Sequence, residues 1–376
     1  MLTGILTLVT VMGIGRFSLT PQIPVMIGDG YLTLSSAGIL ASMNYIGYLL
    51  GAIHVSKMKH RHAFYLKAGL AATVLVTLLS GATSNFSLQC LFRFVAGLGG
   101  AWALIIVTSW TQLVLAGNNA PRLSAAVFTG PGVGIALSGI LAWFMALQHL
   151  NSSQSWYVYG VVALIASLAI CRYLPAETGP ARSSVAVKEP VSTELKKLVL
   201  IYGLAGFGYI LPATFLAQMA HSAFPVSDQA AFFWPLFGLA AVAGVLLVIL
   251  FSARFDAQGT LAVAMILQGV GVGVAAAVVL HTATGLIIST FLTGLCFLSI
   301  IQLTMRFARE ISSGSLARTV GMLTSGYATG QLVGPLISSG SVALFGSLQQ
   351  ALILAALSLI GGGIGVMVLI RKPERV

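Results

Sequence analysis

Long apolar stretches alternate with short polar ones along almost the whole chain. They lack the strict alternation of apolar and polar positions that a half-buried strand shows. Roughly 20 apolar residues in an α-helix cross a bilayer core about 30 Å thick. The pattern therefore predicts twelve membrane-spanning helices, over residues 2–27, 36–55, 63–82, 87–113, 122–146, 155–174, 197–220, 229–252, 258–279, 284–306, 317–342 and 348–370.

One polar stretch is much longer than the others and divides the spans into six and six. Residues 175–196 are rich in Pro, Ser, Thr and charged residues, a composition typical of a linker. We therefore predict an N-terminal six-helix bundle over residues 1–174 and a C-terminal six-helix bundle over 197–376. The predicted fold class is an all-α integral membrane protein.

Composition excludes the main soluble classes. Charged residues make up 7% of the chain and hydrophobic residues 57%, whereas a typical soluble domain is about 25% charged. This excludes a soluble enzyme, a nucleic-acid binder and a disordered chain. We attribute the net charge of +11 to orientation in the membrane, and we expect no nucleic-acid partner.

Lysine and arginine fall on one side of the predicted helices. We call it the basic side; the opposite, far side holds Asp29, Asp228 and three histidines, one of them His281. Cytosolic loops are enriched in Lys and Arg, so the basic side is predicted to be cytosolic. This predicts a multi-pass membrane protein with both termini in the cytoplasm. The basic side holds Lys57, Lys59, Arg61, Lys67, Arg122, Arg172, Arg182, Lys188, Lys196, Lys197, Arg254, Arg306, Arg309, Arg318, Arg371, Lys372 and Arg375.

Glycine and proline recur at matching places in the two halves. Parallel repeats of six spans are typical of two-half secondary transporters. Helix interruptions at corresponding positions would mark a binding site and its gates, while close helix packing is the alternative explanation. The expected structural or gating residues are Gly13, Gly15 and Pro21 in span one, Gly130, Pro131 and Gly134 in span five, and Gly206, Gly208 and Pro212 in span seven.

Two motifs resemble those of the major facilitator superfamily. Residues 91–101 contain an Arg-xxx-Gly-x-Gly pattern that begins at Arg93, and residues 130–134 resemble the Gly-Pro pattern of exporters. The resemblance implies two six-helix bundles and assigns Arg93 a buried structural and gating role. The basic run at residues 57–61 departs from the superfamily's loop signature because it has no Asp, so the loop's charge relay is not carried over.

Three further runs resemble the YbfB/YjiJ-like subfamily of bacterial transporters. They are the Gly-Ile-Gly-Arg-Phe run at 13–17 with Thr20 and Pro21, the run at 41–48, and the run at 206–215. The resemblance implies a transporter of the bacterial inner membrane and does not identify its substrate.

Arg16 is a cation near the centre of the first span. A charge at that depth costs roughly 2.5–3.5 kcal/mol on insertion scales and usually faces a cavity or a partner. One interpretation is that its planar guanidinium binds an anionic substrate group. The alternative is a structural cation bonded to backbone or to Asn44.

Other polar and aromatic residues are substrate-binding candidates by depth along their helices. Asn44, Trp102, Tyr209 and Gln331 are expected near the same midplane as Arg16, with Tyr327 one helical turn from Gln331. Trp234 lies in the far half of span eight and Gln302 toward the basic end of span ten. For each aromatic residue, lipid contact or packing is the alternative.

Enzyme chemistry is not expected. No metal-ligand cluster is convincing, and Cys90, Cys171 and Cys296 lie in apolar spans as expected free thiols. There is no phosphate-binding Gly-Lys-Ser/Thr loop, so neither a cofactor nor ATP hydrolysis is predicted. None of the eight acidic residues lies in the middle of a span, which weakens a carboxylate-based proton mechanism.

The sequence therefore predicts a secondary transporter that moves a small organic solute by alternating access around Arg16. Arg16 favours an anionic solute. The alternative within this class is proton-coupled efflux of drugs or other hydrophobic compounds, which residues 130–131 and the aromatic residues favour. A membrane enzyme and a scaffold are the non-transport alternatives. The expected partners are the solute and membrane lipid, with a coupling ion left open, and a monomer is expected.

Overall fold

The computed structural model consists of helices joined by short loops. It describes residues 1–58, 60–117, 125–176, 191–224, 228–251, 254–277, 283–312 and 316–371, and contains no strand within them. The predicted all-α class with twelve helices is confirmed. The helices are α1 (Leu2–Gly28), α2 (Leu34–Lys57), α3 (His62–Ala82), α4 (Phe86–Gly117), α5 (Thr129–Leu147), α6 (Ser152–Cys171), α7 (Thr193–Ala223), α8 (Phe233–Phe251), α9 (Ala257–Ala277), α10 (Ala283–Ile311), α11 (Leu316–Phe345) and α12 (Gln349–Leu369).

Eleven of these helices are long and apolar enough to cross a membrane. The remaining helix, α11, is long enough but carries Gly, Ser, Thr and Gln at short intervals, which lowers its hydropathy. It packs against α7 in its own half and against α2 of the other half. Most of the predicted linker, residues 177–190, lies outside the described residues, as do Lys59, Arg122, His281, Lys372, Arg375 and the side chains of Asp228 and Arg318.

Glycines bring two helix pairs together in equivalent places of the two halves. In α1 and α5, Gly13 and Gly134 face each other so closely that a Cβ on Gly134 would lie 2.6 Å from the Gly13 Cα. In α7 and α11, a Cβ on Gly330 would lie 2.6 Å from the Phe207 nitrogen, and one on Gly206 would overlap the Tyr327 carbonyl. Small residues permit such backbone contact between membrane helices.

The two halves meet along α2 with α11, α5 with α8, and α1 with α7. On the far side, the Ser339 hydroxyl donates to the Ser35 carbonyl at 2.7 Å. Deeper in the membrane, the Ser42 hydroxyl donates to the Leu332 carbonyl at 3.4 Å. These contacts close the far side over the middle of the molecule.

Candidate functional site

The helix α1 is irregular where it carries Arg16. Val9–Ile14 is a π-helical segment, the type of helix defined by bonds from an N–H to the carbonyl five residues back, and regular α-helix resumes at Leu19. Between them, the Gly15 N–H bonds to the Thr10 carbonyl at 2.9 Å. π-Segments inside helices occur frequently at functional sites.

The counterpart helix α7 is not interrupted. It runs from Thr193 to Ala223 as one helix through Gly206, Gly208 and Pro212. Gly206 faces α11, and Gly208 faces Leu359 of α12. The expected pair of matching interruptions is therefore not present. In α7 the glycines permit close packing, which was the alternative explanation.

Arg16 lies among ring faces and is 8% exposed. Its guanidinium carbon is 4.7 Å from the Tyr45 ring centre, 4.9 Å from that of Tyr48 and 5.3 Å from that of Phe17. Its Nε and Nη2 atoms are buried and have no hydrogen-bond partner among the described residues. A cation over aromatic faces gains roughly 0.5–2 kcal/mol per contact. The ring contacts nevertheless leave two nitrogens of the Arg16 guanidinium without an acceptor among the described residues.

The C-terminal half contributes a stack of aromatic rings. Tyr209 stacks on Phe297 with ring centres 4.4 Å apart and on Tyr327 at 5.5 Å. The Gln331 amide nitrogen donates to the Tyr209 hydroxyl at 2.5 Å, while its Oε1 is buried without a partner in the described part of the chain. Three of the predicted residues, Tyr209, Tyr327 and Gln331, thus lie together.

Phe17 joins the two sets of aromatic residues. Its ring centre is 6.1 Å from that of Phe297 and 6.2 Å from that of Trp234. The Trp234 indole N–H donates to the Ser138 hydroxyl at 3.1 Å, which ties α8 to α5. We call this set the aromatic cage; its rings are Phe17, Tyr45, Tyr48, Tyr209, Trp234, Phe297 and Tyr327. Phe17, Tyr45 and Tyr48 contact Arg16, and Phe17 connects them to the rings of the C-terminal half.

Arg93 has a different environment, with no exposed surface. Its Nη1 donates to the Gly15 carbonyl and its Nη2 to the Ser80 hydroxyl, each at 3.1 Å, and its guanidinium carbon lies 4.7 Å from a Trp156 ring centre. The Asn44 amide nitrogen donates to the Arg93 carbonyl at 3.0 Å. Arg93 therefore connects α4 with α1, α3 and α6, and Asn44 fixes α2 to α4 instead of contacting the cage through its amide nitrogen.

Two predicted residues lie apart from the cage. The ring contacts of Trp102 are with His54 and Tyr65, near the basic ends of α2 and α3. Gln302 on α10 is partly buried, and neither polar atom of its amide has a partner in the described residues. The shared depth of Trp102 and Arg16 therefore does not correspond to a shared site.

Residues that the sequence reasoning did not select complete the cage. Tyr45 and Tyr48 are three residues apart on α2, a spacing that puts both rings on one helix face. This spacing, directly after Asn44, is the sequence signal that could have identified both tyrosines as site residues. Phe297 gave none, because it lies in a long apolar run of α10 that looks the same as a lipid-facing surface.

The predicted proline and glycine residues of α5 face the neighbouring helices. A Cβ on Gly130 would meet Leu8 and Ile5 of α1, which places this glycine at the same helix pair as Gly134. Pro131 is buried near the start of α5, and Pro21 is buried in α1. Gly130, Pro131 and Pro21 are therefore buried in helix packing and are not members of the cage.

Comparisons with known proteins agree with this architecture. A family model described as the uncharacterised MFS-type transporter YbfB matches residues 8–367. The chain therefore belongs to this family of the major facilitator superfamily and is a transporter, not an enzyme. It is 25% identical over 173 residues to the uncharacterized MFS-type transporter YceJ of Bacillus subtilis (strain 168), a match that spans 44% of this chain and 42% of that protein.

The fold also resembles that of a solved transporter. The crystal structure of a point mutant of the nucleoside transporter NupG superimposes with a TM-score of 0.79 and covers 98% of this chain and 99% of that chain, at 12% sequence identity. At this level of identity the likeness shows the fold alone.

Proposed function

We propose that this member of the YbfB-like family transports a small organic anion, and that Arg16 binds the anionic group. The observation that carries the proposal is the unused hydrogen-bonding capacity of a buried cation: Arg16 Nε and Nη2 have no partner among the described residues. The described ion pairs are Lys197 with Glu194 and Arg306 with Glu310, both near helix ends on the basic side.

A carboxylate or similar group fits what Arg16 offers. A guanidinium presents N–H donors in a planar fork that matches a carboxylate in two parallel bonds. An anion in the cage would also provide the counter-charge that burial of Arg16 calls for. Tyr209 and Phe297 supply flat apolar surface for the rest of the solute, and the free Gln331 Oε1 accepts a hydrogen bond from it.

Alternating access is the proposed mechanism. The cage takes residues from both halves, so separating the halves on one side exposes it to that side. On the far side this requires breaking hydrogen bonds between neutral groups, such as Ser339 to Ser35 and Thr20 to the Ala213 carbonyl at 2.6 Å. Each such bond contributes about 0.5–1.5 kcal/mol, which a conformational equilibrium can overcome.

Ligand-dependent stabilisation of the purified protein tests the role of Arg16. A bound ligand raises the apparent stability by mass action. We expect a subset of aromatic and aliphatic carboxylates to raise the melting temperature of the wild-type protein, and their neutral amides to have no effect. Arg16→Gln should lose the response. Arg172→Gln, which removes an exposed arginine at the basic end of α6, is the matched control and should keep it.

Stabilisation of Arg16→Gln equal to that of the wild-type protein would remove Arg16 from the site. Stabilisation by amides as strongly as by acids would show that charge recognition is absent.

Efflux of hydrophobic compounds is the second candidate, and the aromatic cage is the observation that favours it. The seven rings of the cage, three of them against Arg16, offer flat apolar contact to uncharged compounds as well as to anions. Export driven by protons would stop when an uncoupler collapses the proton gradient, so transport with and without an uncoupler separates this function from anion exchange.

The proposed orientation places the basic side in the cytosol. Cys171 is exposed at the basic end of α6, whereas Cys296 is buried. A maleimide that cannot cross membranes should therefore label Cys171 in inverted vesicles and not in intact cells. Cys90, a partly exposed thiol near the far end of α4, is replaced by Ser so that Cys171 alone reports. Labelling of Cys171 in intact cells would reverse the orientation.

A further inference from the structure

We infer that the far side of the N-terminal bundle carries a second binding site, for a small uncharged polyhydroxyl compound. A cavity of about 210 Å³ opens there between the far ends of α1, α3, α4 and α6. Gln89, Ser152 and Trp156 are among its lining residues, and it shares no lining residue with the aromatic cage. Its described lining contains no charged side chain.

Gln89 lines this cavity and holds a buried hydrogen-bond acceptor in a fixed orientation. The side chain is 3% exposed, and its Nε2 donates to the Ser80 carbonyl at 2.8 Å and to the Thr83 carbonyl at 2.6 Å. Flipping the amide would place Oε1 against those two carbonyl oxygens, so the observed orientation is the only one that satisfies both. Oε1 then has no partner among the described residues. A buried acceptor without a hydrogen bond costs free energy, so a ligand that donates a hydrogen bond to Oε1 is favoured.

Trp156 lines the same cavity and holds a buried hydrogen-bond donor in a fixed orientation. Its side chain is 1% exposed, and its indole N–H has no acceptor within the described part of the chain. The ring lies against the Arg93 guanidinium, which is itself held by the Ser80 hydroxyl. The indole therefore cannot turn away to find another acceptor without breaking this contact.

A hydroxyl group satisfies both open positions. It donates to the Gln89 Oε1 and accepts from the Trp156 N–H, whereas an anion would serve only Trp156 and an ammonium group only Gln89. The volume accommodates more than one water-sized group, and the Ser152 hydroxyl adds a further polar contact. A compound with several hydroxyl groups therefore matches the cavity better than a charged one.

The position of the cavity gives it a route to the transport site. Arg93 lies against Trp156 on one side and donates to the Gly15 carbonyl on the other. Gly15 immediately precedes Arg16. A polyol that fixes Trp156 therefore restrains the irregular stretch of α1 that positions the cage.

Saturable binding of polyols tests this site. We expect myo-inositol and xylitol to stabilise the purified full-length protein with a response that saturates at millimolar concentration. Ser84, which is exposed and lines the cavity, is replaced by Trp to fill the opening, and Ser87→Trp at an exposed position outside the lining is the matched control. Ser84→Trp should lose the saturable response and Ser87→Trp should keep it.

Two further variants locate the response. Trp156→Phe removes the donor and keeps a ring, and should raise the apparent Kd about tenfold, the usual effect of one lost buried hydrogen bond. Arg16→Gln should leave the polyol response intact, which separates this site from the anion site.

The inference is overturned if the response rises linearly with polyol concentration, which indicates general exclusion from the protein surface. It is also overturned if Ser84→Trp responds as the wild-type protein does. Saturable stabilisation by inorganic phosphate but not by polyols would overturn the assignment of an uncharged ligand.

Discussion

Arg93 and Arg16 are both buried in the N-terminal bundle, yet only Arg93 has hydrogen-bond partners for its guanidinium. Arg93 donates to the Gly15 carbonyl and the Ser80 hydroxyl and lies against Trp156. Arg16 lies against Tyr45, Tyr48 and Phe17, and two of its nitrogens are unpaired among the described residues. Two buried arginines of one bundle thus differ in how far the protein itself satisfies their hydrogen-bonding groups, and the proposed anion site is at the less satisfied of the two.

The difference follows from the backbone around each arginine. Arg93 lies in a regular helix and reaches the Gly15 carbonyl in the irregular stretch of α1. Arg16 lies within that irregular stretch, and its side chain points to rings, which offer no strong acceptor. Both Nη atoms of Arg93 have partners and only its Nε has none among the described residues, so this arginine holds helices together. A buried charge with more unused donors favours an incoming acceptor.

The largest expected effect is on stability when Arg93 is changed. Arg93→Gln removes two charge-assisted hydrogen bonds, each worth about 1.5–3 kcal/mol. We expect the free energy of unfolding to fall by about 3–6 kcal/mol, measured by thermal or denaturant unfolding in detergent. Arg16→Gln should lower it less, because the variant loses ring contacts but no hydrogen bond, and it removes a buried charge whose burial costs free energy. If both variants lost the same stability, the comparison would fail.

A smaller stability effect is expected at the helix contact beside both arginines. Gly13→Ala places a methyl group against the Gly134 backbone and pushes α1 away from α5. Overpacking of this kind costs about 1–3 kcal/mol. Gly28→Ala on the same helix is the control, since its Cβ would meet nothing within 4 Å. Equal melting temperatures for the two variants would show that α1 can move freely at Gly13.

Arg16→Lys separates charge from geometry at the proposed anion site. Lysine keeps the positive charge but loses the planar fork. We expect an acid that stabilises the wild-type protein to bind about tenfold more weakly, a difference of about 1.4 kcal/mol. Titration of the melting temperature with that acid provides the measurement. Unchanged affinity would indicate that charge alone attracts the solute.

The smallest expected effect concerns the contact between the halves. Ser339→Ala removes one hydrogen bond between α11 and α2, worth about 0.5–1.5 kcal/mol. It should shift the protein toward the state that is open on the far side, measured by cysteine accessibility there. Ser338→Ala is the control, because the Ser338 hydroxyl bonds within its own helix to Gly334. A shift in both variants would indicate a general loosening of α11.

Helix number, fold class and the exceptional position of Arg16 could be predicted from the sequence because each depends on local composition. Depth counting, however, gives the height of a residue in the membrane and not the direction of its side chain. Trp102 and Tyr209 were expected at one height, but only Tyr209 joins the aromatic cage.

Backbone geometry within the helices also could not be predicted from the sequence. A similar pattern of glycine and proline gives a π-helical segment in α1 and an uninterrupted helix in α7. The contacts around the two segments also differ. In α1 the carbonyl of Gly15 bonds to Arg93, and that donor comes from a residue 78 positions away in sequence.

The hydroxyl–carbonyl bonds between the halves have a consequence for salt. Dissolved ions screen charges over a Debye length of about 8 Å at physiological ionic strength, but they act weakly on hydrogen bonds between neutral groups. The closure formed by Ser35, Ser339 and Ser42 therefore keeps its strength as ionic strength changes. Under the proposed function, chloride and other anions would compete with the solute for Arg16. Salt would then lower the occupancy of the proposed site and leave the hydroxyl–carbonyl closure unaffected.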